Sequence, residues 1–196
     1  MIPVSTFLLV AALEAGAPAF RPYTYMAQGP ERSRIPVDGE SLVLQVPERH
    51  GAAGRTIALF LMRLKATTPA PGAPILYLHG GPGGAALEHL DQADFRALFS
   101  ELRAEADVIL LDQRGCGASK PSLVPERQDR LRESTLESRA SFLDHLLGVA
   151  SRVRGKLEKE GHDPRNFDIV QSAEDIESVR LALGAPKLTL LAHSYG

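Results

Sequence analysis

The chain has 196 residues, of which 44% are hydrophobic and 23% charged, and its formal net charge is −2. This length and balance fit one globular domain with a sizeable core. The weak charge excludes the basic field that nucleic-acid binding requires. The sequence also lacks a G-x-x-x-x-G-K-[ST] phosphate loop and paired cysteines and histidines at zinc spacing. We therefore expect no nucleic-acid partner, no metal and no cofactor.

Residues 1–19 are predicted to be a secretory signal peptide. The apolar run VSTFLLVAAL is followed by small residues typical of a signal-peptidase cleavage site. The run is too short to span a bilayer, and no Lys or Arg precedes Arg21, so the usual positive start is missing. The pattern favours a secreted or periplasmic protein over a cytoplasmic one. The mature domain is then predicted over residues 20–196.

The domain is predicted to start with an antiparallel hairpin. Residues 42–46 alternate as a strand that ends at Pro47, and residues 55–65 form the second strand. Between them, the glycines of residues 50–54 predict a turn. Residues 67–74, with three prolines and a glycine, predict a loop.

A βαβ unit follows the loop. Residues 75–78 and 108–111 are continuous apolar runs, as expected of parallel strands that are buried on both faces. Between them lie a glycine turn at residues 79–84 and a helical period of leucines over residues 87–102. The second strand ends in Asp112. Such an alternation indicates parallel strands joined by a crossover helix.

A long amphipathic helix is predicted over residues 134–161. Ser134 and Glu137 form a capping box, and Gly161 supplies the stop. Apolar residues spaced by three or four predict one buried face: Leu136, Ala140, Leu143, Leu147, Ala150, Val153 and Leu157.

A second helix and a strand lead to the end of the chain. The helix is predicted to begin at Ser172, with Asp175 as its capping partner, and to end at Gly184. Residues 188–191 then form a third buried strand that runs directly toward Ser194. The whole order predicts an α/β domain with an antiparallel start and a parallel body.

Ser194 lies in the pentapeptide AHSYG, which has the form of a nucleophile elbow. In the G-x-S-x-G pattern the serine occupies a strained turn between strand and helix, and bulk two positions away would collide with neighbouring backbone. Ala192 replaces the first glycine, which is a small departure. The alternative is an ordinary serine, without a catalytic role, in a turn at the end of a strand.

The glycine turn HGGPGG at residues 79–84 adds to that signal. Glycines let backbone N–H groups approach a ligand, so this turn is suited to hold an oxyanion. A plain tight turn and a phosphate loop are the alternatives. The absence of a following Lys-Ser/Thr disfavours the phosphate loop.

Three motifs together point to a known family. HGGPGG, DQRGCGAS at residues 112–119 and AHSYG occur in this order on these elements. On these motifs the chain resembles α/β-hydrolases of the prolyl iminopeptidase and tripeptidyl aminopeptidase group over about residues 74–196. The resemblance implies the N-terminal part of an α/β-hydrolase fold, ending at the elbow.

The resemblance also implies roles for individual residues. Ser194 would be the nucleophile, and the backbone N–H groups of Gly81 and Tyr195 would form the oxyanion hole. Arg114 would be an ion-pair residue of the scaffold, with Cys116 a small residue of the same turn. At Ala192 and His193 those peptidases more often carry Gly-Gly, so peptide specificity stays open.

The other histidines receive no catalytic role from the sequence. We expect His193 to pack against its surroundings, since neighbouring side chains on an elbow diverge. His79 is expected to hold its turn. The remaining histidines have no metal-ligand spacing, so no metal site is predicted.

The implied function is that of a serine hydrolase. We expect an aminopeptidase that releases N-terminal proline or short peptides through an acyl-enzyme, acting on a small peptide or ester. A carboxylesterase or lipase-type hydrolase and a non-catalytic binding fragment remain alternatives. The family's triad runs Ser, acid, His along the chain, yet only Tyr195 and Gly196 follow Ser194. We therefore expect the N-terminal part of a longer enzyme, inactive by itself.

Overall fold

The architecture is a six-stranded mixed sheet with helices on both faces. The computed structural model describes residues 19–125, 129, 131 and 133–196. The strands are β1 (Arg21–Gln28), β2 (Arg34–Pro47), β3 (Thr56–Leu64), β4 (Ile75–Leu78), β5 (Val108–Asp112) and β6 (Thr189–Ala192), in the spatial order β1-β2-β3-β5-β4-β6. The helices are α1 (Ala93–Leu102), α2 (Arg139–Lys159) and α3 (Ile169–Ala182). Residues 1–18 of the predicted signal peptide lie outside the described residues.

The antiparallel start is confirmed and is larger than predicted. β2 pairs with β3 in antiparallel register, with Leu44 opposite Leu59. The predicted strand over residues 42–46 is only the end of β2, whose first half pairs with β1. Pro36 and Gly39 are residues that usually interrupt strands, so the sequence pattern does not predict this half. Both nevertheless lie in the ladder, opposite Met26 and Tyr23.

The parallel body is also confirmed. β4 is paired with β5 on one side and with β6 on the other, in parallel in both cases. Every residue of β4 and β5 is buried. The prediction that the third strand is buried was wrong: Leu190 is 54% exposed. Within the described residues β6 pairs only with β4, so it is an edge strand with little cover on its faces.

Two apolar clusters cover the two faces of the sheet. Leu76 and Ile109 pack with Val179 of α3, whereas Tyr77 and Leu110 pack with Phe99 of α1. Successive side chains of a strand point to opposite faces, so α1 and α3 lie on opposite faces. This layering is typical of α/β domains. None of the described helices has the length and apolar character needed to cross a membrane.

The helix starts differ from the predicted ones. The helix expected over residues 87–102 is split into a 3-10 helix (Ala86–Asp91) and α1, because Gln92 between them is extended. The caps were also wrong: α2 begins after Ser138, whose side chain accepts from the Ser141 N–H. In α3 the cap is Asp168, which accepts from the Gln171 N–H.

The predicted buried face of α2 is largely exposed. Leu157 is the buried residue of this helix, whereas Leu147 is 65% exposed and Leu143 43% exposed. Leu136 lies in a separate 3-10 helix (Glu133–Leu136) and is exposed as well. The periodicity predicted the helix but not what covers it in the described chain.

Candidate active site

Ser194 occupies a strained turn directly after β6. Its φ of 58° lies in the left-handed region, which costs a non-glycine residue about 1–2 kcal/mol. Two backbone hydrogen bonds hold the turn: the His193 N–H donates to the Leu78 carbonyl (3.1 Å), and the Gly196 N–H donates to the His193 carbonyl (3.1 Å). The backbone therefore has the strained serine that an elbow pattern predicts.

Two glycines make this turn possible by close approach. A side chain at position 196 would run into the Leu78 carbonyl of β4. A Cβ at Gly80 would lie 2.6 Å from the His193 carbonyl oxygen, 2.7 Å from the Ser194 Cβ and 2.8 Å from the Tyr195 nitrogen. The glycine loop after β4 and the serine turn after β6 are therefore in direct backbone contact.

The two predicted oxyanion-hole donors belong to these touching segments. Gly81 has a φ of 126°, a conformation that only glycine adopts readily. The Gly84 N–H donates to the Gly80 carbonyl (3.1 Å) and closes the loop. Within the described part of the chain, neither the Gly81 N–H nor the Tyr195 N–H donates to another protein group.

The end of β5 and the turn that follows it hold the glycine loop. The Asp112 carboxylate accepts from the backbone N–H groups of Ala86 (2.8 Å), Leu87 (3.4 Å) and Ala118 (2.8 Å). Burial raises the pKa of Asp112 above its usual range, and the three N–H donors oppose this shift. The Gln113 amide donates to the His79 carbonyl (2.9 Å), so this turn is tied to the start of the loop.

Arg114 is the ion-pair residue that the sequence predicts. Its guanidinium is buried and donates to both carboxylate oxygens of Asp175, at 2.7 and 2.6 Å. It also donates to the carbonyls of Glu48 (2.8 Å) and Asn166 (2.6 Å). The capping role predicted for Asp175 was wrong: it is the buried partner of Arg114, and His50 Nε2 lies 2.8 Å from its Oδ1.

Three histidines cluster beside the serine turn. One ring nitrogen from each of His79, His89 and His193 lies within 4.8 Å of the others. The ring of His193 packs edge-on against His89 and Phe95, which agrees with its expected packing role. The sequence does not predict the cluster, because these histidines are distant in sequence and only the order of the strands brings them together.

The inner histidines of this cluster are neutral at neutral pH. Burial, followed by the proximity of His79 and His193, lowers the pKa of His89 to about 4. Burial and then His193 also lower the pKa of His79. The Ser194 hydroxyl makes no hydrogen bond to a histidine of the described residues.

A cavity of about 420 Å³ opens beside the serine turn. Its lining includes Pro82 and Gly83 of the glycine loop, Tyr195 of the serine turn, and Phe167. Cys116 also lines it, but burial and then Asp112 raise the pKa of its thiol to about 11. A thiol with such a pKa is protonated at neutral pH and is a poor nucleophile. The raised pKa agrees with the expectation that Cys116 is a small residue of the turn and not a nucleophile.

The sheet, the strained serine and the glycine loop define an α/β-hydrolase architecture. The family model described as "alpha/beta hydrolase fold" matches residues 73–196, and the chain belongs to this family.

Two groups of known proteins are similar to this chain. Serine protease Hip1 of Mycobacterium tuberculosis (strain ATCC 25618 / H37Rv) is 30% identical over 152 residues, which are 73% of this chain and 28% of that protein. Putative hydrolase YuaR of Escherichia coli (strain K12) is 25% identical over 161 residues, which are 78% of this chain and 30% of that protein. The chain therefore spans less than a third of the length of these curated relatives.

Proposed function

We propose that the protein is a serine hydrolase in which Ser194 is the nucleophile. The observation that carries this proposal is the left-handed φ of Ser194 at the end of β6, in contact with the Gly80 backbone. Strain of this kind persists where the surrounding structure enforces it, and it concentrates at functional sites. The two unpaired amides beside the serine add the second element that acyl transfer needs.

The chemistry follows from this geometry. The Ser194 Oγ gives its proton to a general base and attacks the substrate carbonyl carbon. The carbonyl oxygen becomes an oxyanion that accepts from the Gly81 and Tyr195 N–H groups, and the base later returns the proton to the leaving group. The tetrahedral intermediate then collapses, the leaving group departs with a proton, and water hydrolyses the acyl-enzyme. Ser194 is proposed for the first of these steps, the attack on the carbonyl carbon.

A serine hydroxyl needs a general base to react. In α/β-hydrolases the acid and the histidine follow the serine along the chain. We do not assign the base to the histidine cluster, because no described histidine hydrogen-bonds to Ser194. Activity is accordingly proposed for the whole protein, because this chain spans less than a third of its curated relatives.

The proposed substrates are peptides with a free N-terminus, from which the enzyme releases proline or short peptides. Support comes from the combination of HGGPGG and DQRG and from the similarity to a protein named a serine protease. The cavity beside Tyr195 gives space for a side chain of the substrate.

We further propose that the protein is exported. N-terminal sequencing of the exported protein should find a mature start near Ala19 or Phe20, and an intact Met1 would contradict export.

The direct test is hydrolysis by protein made from the complete coding sequence. Prolyl and tripeptidyl p-nitroanilides and a short p-nitrophenyl ester are the substrates. Ser194→Ala should lower kcat by at least about 10³-fold, as removing a triad serine does. The control is Ser178→Ala, because that residue is half-buried on α3 and, among the described residues, its hydroxyl donates only to the Glu174 carbonyl of its own helix.

The possible results distinguish the proposed nucleophile from the proposed substrate class. Turnover that survives Ser194→Ala would show that the nucleophile is elsewhere. Loss of turnover in Ser194→Ala together with a preference for the acyl ester would retain the serine hydrolase and reject the aminopeptidase in favour of a carboxylesterase.

A further inference from the structure

The histidine cluster has the composition of a metal site. His79 follows β4, His89 lies in the 3-10 helix Ala86–Asp91, and His193 follows β6. Among the described residues, these side chains form the group of three histidine, cysteine or acidic residues that is close enough to share an ion. We infer that the three imidazoles bind one divalent ion of the zinc class, immediately beside the turn that carries Ser194.

The spacing suits such an ion. Zinc binds histidine nitrogens at about 2.0–2.1 Å, which places the ligand atoms of a tetrahedral site roughly 3.4 Å apart. The three nitrogens lie within 4.8 Å of one another, so they must approach one another further to bind the same ion. Imidazole ligands favour Zn²⁺, Co²⁺, Ni²⁺ and Cu²⁺, whereas Mg²⁺ and Ca²⁺ require oxygen ligands.

His89 is held in place as a ligand would be. Its ring stacks against Phe95 with a centroid distance of 3.9 Å and lies equally close to His79. Its Nδ1 is paired with the buried Tyr77 hydroxyl. Metal-binding histidines typically have such a partner on the second ring nitrogen, which fixes the ring. His193 is exposed and gives an ion access from solvent.

Ion binding would act on the glycine loop through His79. The Gly80 N–H donates to the His79 Nδ1 (2.8 Å), so metal-free His79 carries its proton on Nε2. Coordination through either nitrogen breaks this hydrogen bond, because the metal takes Nδ1 or the proton moves there. Gly80 directly precedes the proposed oxyanion donor Gly81. A bound ion should therefore inhibit hydrolysis. This inhibition rests on the proposed function, whereas the binding of the ion does not depend on it.

The test is a cobalt titration of tag-free protein, followed by visible absorption. We expect one Co²⁺ per chain with the bands of a four- or five-coordinate ion, displaced by one equivalent of Zn²⁺ and unaffected by excess Mg²⁺. His193→Asn should weaken Co²⁺ binding at least tenfold, and since this residue is exposed the variant should fold. The control is His145→Asn, a histidine of α2 outside the cluster, which should bind as the wild type does.

Absence of the cobalt bands, or equal Co²⁺ affinity in the wild type and His193→Asn, would overturn the site. Inhibition of hydrolysis by equimolar Zn²⁺ would support the coupling to the glycine loop, and binding without inhibition would refute that coupling. Binding is measured without substrate, so a failure of the proposed function and a failure of the metal site give different results.

Discussion

The surroundings of Arg114 and of Ser194 differ in how their polar groups are satisfied. Arg114 is only 4% exposed, and its guanidinium donates to the Asp175 carboxylate and to the carbonyls of Glu48 and Asn166. Ser194 is exposed and strained, and the adjacent amides of Gly81 and Tyr195 are unpaired within the described residues. A fully bonded buried network holds a shape, whereas open donors beside a strained nucleophile are ready to bind a reacting group.

The two regions are joined by the short turn that follows β5. Asp112 binds the backbone after the glycine loop, Gln113 binds its start, and Arg114 binds α3 through Asp175. Three consecutive residues thus connect the buried network to the loop that touches Ser194. We expect changes in the network to act mainly on stability and changes at the contact to act mainly on activity.

The largest stability effect is expected from Arg114→Met. The substitution leaves the buried Asp175 carboxylate without its main partner, and breaking a buried pair in this way costs about 3–5 kcal/mol. Urea unfolding followed by circular dichroism measures the loss. The control is Arg154→Met, because Arg154 forms an exposed pair with Glu158, and such pairs contribute little. Equal effects of the two substitutions would contradict the structural role of Arg114.

Gly80→Ala should affect activity more than stability. The new methyl group would meet the backbone of His193 and Tyr195 at under 3 Å, which would move the glycine loop away from Ser194. Misplacement of a catalytic group by about 1 Å can cost roughly 100-fold, so we expect kcat/KM to fall by about 10- to 100-fold.

The matched control for Gly80→Ala is Gly155→Ala in α2, where an added Cβ meets no atom within 4 Å apart from the nearby backbone of its own helix. That change should leave kcat/KM unaltered and stabilise the protein by up to about 1 kcal/mol, since alanine is the better helix former. An unchanged kcat/KM in Gly80→Ala would show that the contact is not required for activity.

A smaller, pH-dependent effect is expected at Glu48. Burial alone would raise the pKa of this carboxyl, but hydrogen bonds from the Asn166 side chain, the Asp163 N–H and then His162 hold it below the usual 4.5. A lowered folded-state pKa stabilises the protein above the unfolded pKa, and this contribution is lost as the pH falls through the folded pKa.

Glu48→Gln should therefore lower stability at pH 7 and flatten the loss of stability below about pH 4.5. Urea midpoints from pH 7 to pH 3 give the profile, with Glu101→Gln on the exposed side of α1 as the control. An acid slope in Glu48→Gln as steep as that of the wild type would refute the role of Glu48.

The sequence predicted the parts of the fold that local patterns specify. The apolar runs of β4 and β5 are nearly the observed strands, and the serine turn and glycine loop are contiguous motifs. The first half of β2 was not predicted to be a strand, because its pairing with β1 overrides two residues that disfavour strands.

The features that depend on contacts between residues distant in sequence were not predicted, for a common physical reason. Asp175 has the spacing of a capping residue, but Arg114, 61 positions away, captures its carboxylate. The histidine cluster joins segments that only the β4–β6 pairing brings together. The exposed face of α2 shows the converse, because a helical period reports an apolar stripe but not what covers it.

The central claim is that the strained serine at the end of β6 is the reactive group. The most direct measurement is labelling of the protein made from the complete coding sequence with a fluorophosphonate, followed by peptide mapping by mass spectrometry. This reaction needs an activated serine and an oxyanion hole. We expect one adduct, on Ser194, and none in Ser194→Ala. An adduct on another residue, or turnover of substrate by a protein whose Ser194 stays unmodified by the probe, would contradict it.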